Sequence, residues 1–280
     1  YKQLKTSRNQ KLLPFHRDLK NKGACFGQVA GFERPMWYAL NGNKPEYEYS
    51  YGYQNWYESA KYETINTRKN VGLFDLSAFA KFEIKGNSAF KDLQRLCCNN
   101  IKNDPGKTTY TQMLNSNGGI VADLTVTCIN EKFFRVITGS SVKEHDKKHI
   151  IENLSKDTTL TDITEDLACL GIFGPKSRAL LKSLFGEHFS TNDFMFGTAK
   201  EIKFNGNNII FQRLSFVGEL GWEIYIPINV SRDIYLELVK YGKNYDLVHA
   251  GGHALDIMRM EKGYLHWGHD ISPAENPYEA

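Results

Sequence analysis

No stretch of this chain holds the roughly 18 consecutive apolar residues that a membrane-spanning helix needs. Its start, Tyr1-Lys2-Gln3-Leu4-Lys5, has neither an initiator Met nor the apolar core of a signal peptide. A membrane partner is therefore not expected, and the chain reads as processed, trimmed or cut from a longer one. Cysteine is scarce and odd in number: Cys25, Cys97, Cys98, Cys128 and Cys169, with no Cys-x-x-Cys pair. That argues against a disulfide framework and a thiolate zinc site, and fits free thiols in a reducing compartment. Charge of one sign never accumulates. With 35 basic against 32 acidic residues the formal charge is +3, and nothing marks a nucleic-acid surface. Also missing are a Gly-x-Gly-x-x-Gly after a strand, a P-loop and a Gly-x-Ser-x-Gly elbow. No flavin- or nicotinamide-binding Rossmann unit is expected, hence no FAD in this chain.

What is present is an ordinary globular composition, 41% hydrophobic and 24% charged over 280 residues, enough for two domains. A short helix opens at Pro14 and ends before Gly23, followed by an irregular, ring-rich segment over 24–53. Residues 56–70 read as a helix with Trp56, Ala60, Tyr62 and Ile65 inward. A strand over 80–85 and a helix over 87–98 come next. Strands at 110–114 and 120–129 join through Asn117-Gly118-Gly119, a turn signal, and 133–138 continues the sheet. Ser141-x-x-Glu144 is a capping-box pattern for a helix running to about Asn153. In the second half, strands over 168–173, 201–204, 209–213 and 222–226 alternate with helices over 230–241 and 253–262. Asn205-Gly206 marks a hairpin with a loop of two residues or more. The fold class is α+β with antiparallel sheets.

Phe216-Val217-Gly218-Glu219-Leu220-Gly221-Trp222-Glu223 is the most informative run. If extended, it turns positions 219, 221 and 223 to one side. Its glycines point to a close approach of backbone or ligand. A buried carboxylate there needs donors, and a flat heterocycle with adjacent N–H groups supplies a pair. Three further motifs accompany it: Tyr110-Thr111-Gln112-Met113-Leu114-Asn115, Gly118-Gly119-Ile120-Val121-Ala122-Asp123-Leu124-Thr125-Val126, and Leu255-Asp256-Ile257-Met258-Arg259-Met260-Glu261-Lys262-Gly263-Tyr264. Together they resemble the folate-binding module of the aminomethyltransferase (glycine-cleavage T-protein) superfamily, most of all the branch fused to dimethylglycine and sarcosine dehydrogenases.

The resemblance implies two mixed α/β domains around a central folate cavity. Residues 1–80 plus 161–280 would form a discontinuous folate-binding domain, and 81–160 an inserted one. The family's C-terminal β-barrel is absent from the chain, which stops at Pro277-Tyr278-Glu279-Ala280. Tetrahydrofolate is the implied cofactor, with a small amine-derived one-carbon donor and a separate or removed flavin domain as partners. The bacterial cytoplasm or the mitochondrial matrix is the implied compartment.

Asp123 lies on an apolar strand among Ile120, Val121, Leu124 and Val126, where low polarity would raise its pKa and suit it to act as a base. A solvent-facing strand carboxylate is the plain alternative. By resemblance Asp123 matches the family's functional Asp beside the reactive folate nitrogens. Glu223 and Glu219 compete as the carboxylate that holds the pterin; spacing leaves both open, and the resemblance picks Glu223. Tyr110 and Phe216 are candidate ring walls, although strand aromatics are more often core. Phe216 stands where the family usually has Tyr. Arg259 has Asp256 three residues before it for a helical ion pair, and by resemblance lies near the folate. His266-Trp267-Gly268-His269-Asp270 offers too few ligands for zinc, so no metal is expected there. The implied activity is tetrahydrofolate-dependent one-carbon transfer. A non-catalytic folate-binding or structural module, a glycine-cleavage aminomethyltransferase and a sulfonium demethylase are the alternatives.

Overall fold

The computed structural model describes residues 2–40 and 42–280. In chain order the elements are β1 (Lys11–Leu12), α1 (His16–Asn21), β2 (Ala24–Val29), β3 (Phe32–Tyr38), α2 (Tyr57–Lys69), β4 (Val71–Asp75) and β5 (Ala80–Gly86). Then come α3 (Ala89–Leu96), β6 (Thr108–Leu114), β7 (Ile120–Asn130), β8 (Phe133–Thr138), α4 (Lys143–Ile151), β9 (Thr158–Asp162) and β10 (Leu167–Phe173). The last are α5 (Ser177–Phe185), β11 (Ala199–Phe204), β12 (Asn207–Gln212), β13 (Gly221–Pro227), α6 (Ile228–Gly242), β14 (Leu247–His249) and α7 (Gly252–Glu261). They fall into two units. The first holds residues 1–78, 166–195 and 201–263; the second holds 79–165, 196–200 and 264–280.

In the first unit a six-stranded sheet runs β11-β12-β13-β10-β4-β14, with a small β1-β3-β2 sheet beside it in the same unit. Period-2 alternation along β13 sends Trp222, Ile224 and Ile226 into a core with Leu170, Ile172, Leu73, Leu180 and Leu238. Each such buried aliphatic side chain contributes about 1.5–3 kcal/mol. The opposite face carries Gly221, Glu223 and Tyr225, paired in register with Phe173, Gly171 and Cys169. The glycines on this face make room for rings. A Cβ on Gly221 or Gly171 would come within 2.5 Å of Phe173, and one on Gly72 within 2.8 Å of Phe74. Asn205 and Gly206 both have positive φ (48° and 81°) and join β11 to β12 in a two-residue loop, the backbone that a type I′ turn requires.

The second unit is built on an antiparallel sheet, β6-β7-β8-β5-β9. Phe82, Ile84, Met113, Ala122, Leu124, Val126, Phe134 and Val136 line its core face, packed with Leu93 of α3 and Ile150 of α4. Tyr110, Gln112, Asp123 and Thr125 occupy the other face by the same alternation.

Three expectations change. The segment over 24–53, expected to be irregular, holds β2 and β3, paired antiparallel from Ala24↔Tyr38 to Val29↔Phe32. Helix α2 turns Tyr62 and Ile65 outward (48% and 45% exposed) and buries Ser59, Ala60, Glu63, Thr64 and Thr67. Its inner face is polar because Glu63 has backbone work to do: it accepts the N–H of Tyr38 at 2.6 Å and of Gly251 at 2.9 Å. The Ser141/Glu144 capping box does not form. Ser141 lies in a 3-10 turn (Ser140–Val142), and α4 starts at Lys143 with no side-chain cap. Residues 196–200 and 264–280 group with the second unit. The tail is tied there by the Trp267 Nε1–H donating to Ile120 O (2.8 Å) and the Ile120 N–H donating to Glu275 O (2.9 Å).

Burial pushes the Glu63 carboxyl up to about 8, against the pull of its two N–H donors. The folded chain therefore holds this proton to higher pH than the unfolded chain. Its contribution to stability is full below the ordinary value of 4.5 and declines as pH rises through about 8. Glu63→Ala leaves two buried N–H groups unpaired and is expected to cost about 2–4 kcal/mol, flattening that decline. Urea melts at pH 5 and pH 8.5 check this; an unchanged midpoint would refute it.

Candidate functional site

Asp123 sits mid-strand on β7 and is brought together with two residues of the paired strand. Gln112 faces it in register. The Gln112 amide donates to Asp123 Oδ1 at 3.3 Å and to the Tyr110 hydroxyl oxygen at 3.1 Å. Burial pushes the Asp123 carboxyl up to about 6, while hydrogen bonds from Tyr110 and Gln112 pull it down and the charge of Asp146 adds to the rise. Burial and the Asp123 carboxylate also raise the Tyr110 hydroxyl, although the ring is half exposed. Thr125, next on the same face, has a buried Oγ1 with no hydrogen-bond partner among the described residues. A carboxylate of this kind is mostly ionised at neutral pH yet basic enough to accept a proton from a reacting group.

Glu223 belongs to the first unit and stands between Gln212 of β12 and Gly171 of β10. It is 8% exposed, and among the described residues no cation pairs with it. The Tyr225 hydroxyl donates to its Oε2 at 2.6 Å. Burial raises the Glu223 carboxyl, and that hydrogen bond partly offsets it. The competing Glu219 is not on the strand. Gly218 turns at φ +68°, where a Cβ would meet Lys262, and Glu219 goes to Arg68 at 2.5 Å. Arg68 also pairs with Glu261. Glu219 is thus an ion-paired turn residue, and Glu223 a buried carboxylate with one neutral donor.

Phe216 lies half buried in the irregular segment before β13. Arg259 is buried on α7 and pairs with Asp256 at 2.7 Å. In the tail, Asp270 Oδ2 accepts the His266 N–H, and the His266 and His269 rings lie 4.4 Å apart. Among the described residues no group of three or more His, Cys, Asp or Glu is placed to hold a metal. Nor is any helix among them long and apolar enough to cross a membrane. Gln112, Thr125 and Tyr225 were not singled out from sequence. The signal was available, since each lies two residues from a named candidate on a strand.

Residues 15–280 match the family described as the GCVT N-terminal domain. The chain belongs to that family. Over 279 residues the chain is 38% identical to 4-methylaminobutanoate oxidase (formaldehyde-forming) of Paenarthrobacter nicotinovorans, covering 99% of this chain and 34% of that protein. It is 33% identical over 274 residues to mitochondrial dimethylglycine dehydrogenase of Rattus norvegicus, covering 97% and 32%. The chain spans about a third of the length of these curated relatives. Among solved structures, the glycine cleavage system aminomethyltransferase T of Bartonella henselae superposes with a TM-score of 0.80. That match has 24% identity and covers 96% of this chain and 67% of that one. This GCVT domain therefore has the T-protein-like fold, mixed α/β with its sheets not closed into a barrel.

Proposed function

We propose that this GCVT domain is a tetrahydrofolate-dependent one-carbon transfer module, forming 5,10-methylenetetrahydrofolate from an N-methylamine-derived donor. It would serve as the folate half of a dimethylglycine or sarcosine dehydrogenase-type system, with the flavin on another domain or chain. The observation that carries this reading is Glu223, a buried carboxylate that, among the described residues, has a phenolic donor and no cation partner. Two coplanar acceptor oxygens in that state suit a ring with adjacent N–H and amino donors. The orphaned Thr125 hydroxyl beside Asp123 is a second group that a bound polar ligand would satisfy.

When bound, tetrahydrofolate supplies the nitrogens that accept the one-carbon unit. The chain's own part is to bind, orient and handle protons. Glu223 would hold the ring donors, Tyr110 and Phe216 would offer ring faces, and Asp123 would accept a proton. Arg259, neutralised in part by Asp256, would keep a buried positive charge on α7 of the first unit. Excluding water matters because an iminium hydrolyses readily, so positioning two reactants supplies much of the rate. Both relatives are named for N-methylated amines, which favours such a donor over an aminomethyl carrier or a sulfonium compound.

The test combines the chain, tetrahydrofolate and a separate flavin enzyme that oxidises dimethylglycine, following 5,10-methylenetetrahydrofolate. Formation faster than uncatalysed trapping of free formaldehyde supports the reading. Folate binding without any acceleration would make this a non-catalytic folate module. Turnover confined to a lipoyl-borne aminomethyl donor or a sulfonium compound would move it to those branches.

A further inference from the structure

Gln112 stands directly across from Asp123, on β6, and both ends of its amide are engaged within the second unit. Its Nε2 donates to Asp123 Oδ1 at 3.3 Å and to the Tyr110 hydroxyl oxygen at 3.1 Å. Its Oε1 accepts the Cys98 thiol, with Sγ 3.5 Å away. That thiol belongs to a segment stitched to β6. The Cys98 N–H donates to the Gln112 carbonyl at 2.9 Å, the Asn99 N–H donates to Thr111 Oγ1 at 3.1 Å, and Cys97 bridges to Met113. The orientation of the amide follows from these neighbours. An ionised carboxylate only accepts hydrogen bonds, whereas a thiol is a weak donor. Turned over, Gln112 would set its carbonyl oxygen against the carboxylate and its N–H groups against the thiol.

We propose that Gln112 is a positioning residue for Asp123: an amide, held in one orientation by Cys98, that aims the carboxylate and joins it to the Tyr110 hydroxyl. The inference rests on the reading of Asp123 as the proton acceptor. The last torsion of an Asp side chain is broad and two-fold, so a carboxylate with no donor swings. A donor on Oδ1 restrains it. Hydrogen bonding to the charged form also favours that form, so Gln112 works against burial and keeps Asp123 ready to accept a proton in the neutral range. The same nitrogen occupies the Tyr110 oxygen, which leaves the phenolic proton to be donated, and Tyr110 too hydrogen-bonds Asp123. Two linked donors therefore act on one carboxylate.

The remaining charged and titratable groups around Asp123 are engaged elsewhere. On the same face of the sheet, Lys81 Nζ donates to the carbonyls of Phe79 and Thr164, and Lys85 and Arg135 pair with Glu83. Helices α3 and α4 pack on the opposite face through Leu93 and Ile150. Asp92 of α3 holds Ser155, and the charge of Asp146 of α4 adds only a smaller rise to Asp123. In the tail tied to Ile120, Asp270 accepts the His266 N–H, Glu275 accepts Ser272, and Trp267 stacks on His145. Among the described residues, Gln112 and Tyr110 are the side chains that hydrogen-bond the Asp123 carboxyl.

The test is the titration of the Asp123 carboxyl in the full chain without folate. It is read by carbon NMR of labelled aspartate and assigned by its loss in Asp123→Asn. Gln112→Met keeps the length of the side chain and removes the donor. It should move the Asp123 midpoint up from about 6 by about half a pH unit or more. Gln112→Glu puts a second carboxylate across from Asp123 and should move it up further. The acid limb of the one-carbon transfer rate should rise with the midpoint, so turnover falls at pH 6 far more than at pH 8.5. A merely structural role would lower stability and leave that limb in place. Cys98→Ala frees the amide to turn and should raise the midpoint by less, while Cys98→Ser restores a donor and should return it to about 6. A fixed Asp123 midpoint in folded Gln112→Met would overturn the proposal, whatever the rate does, and a fixed midpoint in Cys98→Ala would overturn the hold by Cys98. A midpoint that moves while Asp123→Asn retains full turnover would leave this positioning standing and overturn the role of Asp123 as base.

Discussion

Asp123→Asn is expected to slow one-carbon capture by about a hundred- to ten-thousand-fold, the range of a general base, while tetrahydrofolate still binds. The amide matches the carboxylate in shape and can still face Gln112, so packing on β7 is kept. What is lost is the ability to take a proton. Stability offers an independent check that the variant is folded. Folded Asp123 holds its proton up to about 6 against an ordinary value of 3.8, so ionising it costs the native state. That cost is absent below pH 3.8 and fully present above about 6. The Asn variant should therefore be more stable than the parent at pH 7.5, by about 1–3 kcal/mol, with the difference gone at acid pH. A slower and more stable protein is the signature of a residue kept for chemistry. Unchanged turnover would return Asp123 to an ordinary strand carboxylate, and lost binding would make it an anchor.

Glu223→Gln should weaken tetrahydrofolate binding by roughly 5- to 150-fold, the equivalent of leaving buried donors unpaired at about 1–3 kcal/mol. An amide brings its own donors to a place where the ligand already presents donors. Glu219→Gln should do far less to binding, because Glu219 is spent on Arg68 in the turn before β13. Its effect should appear instead as a small loss of stability, since partly exposed ion pairs contribute about 0–1 kcal/mol. Calorimetry on both variants decides the matter, and equal losses of affinity would mean the two carboxylates share the task.

The strands were legible because their signals are local. Alternation placed β7 and β13, and the Asn205-Gly206 pair announced its own turn through two positive φ values. Helix α2 was misread on its faces because the inward side carries Glu63, whose role is to accept N–H groups of Tyr38 and Gly251, far away in sequence. Nothing in a hydrophobic periodicity reports that. The two carboxylates of the Phe216–Glu223 run looked equivalent in an extended chain. They differ because Gly218 breaks the extension, so Glu219 leaves the strand and Glu223 stays on it.

This chain is expected to bind reduced folate through a buried carboxylate on β13. Titration calorimetry of tetrahydrofolate into the chain, under anaerobic conditions and alongside Glu223→Gln, tests it most directly. A single saturable site in the parent chain and a clear loss of affinity in the variant are expected. No binding heat in the folded parent chain, or the same affinity in both proteins, would contradict it.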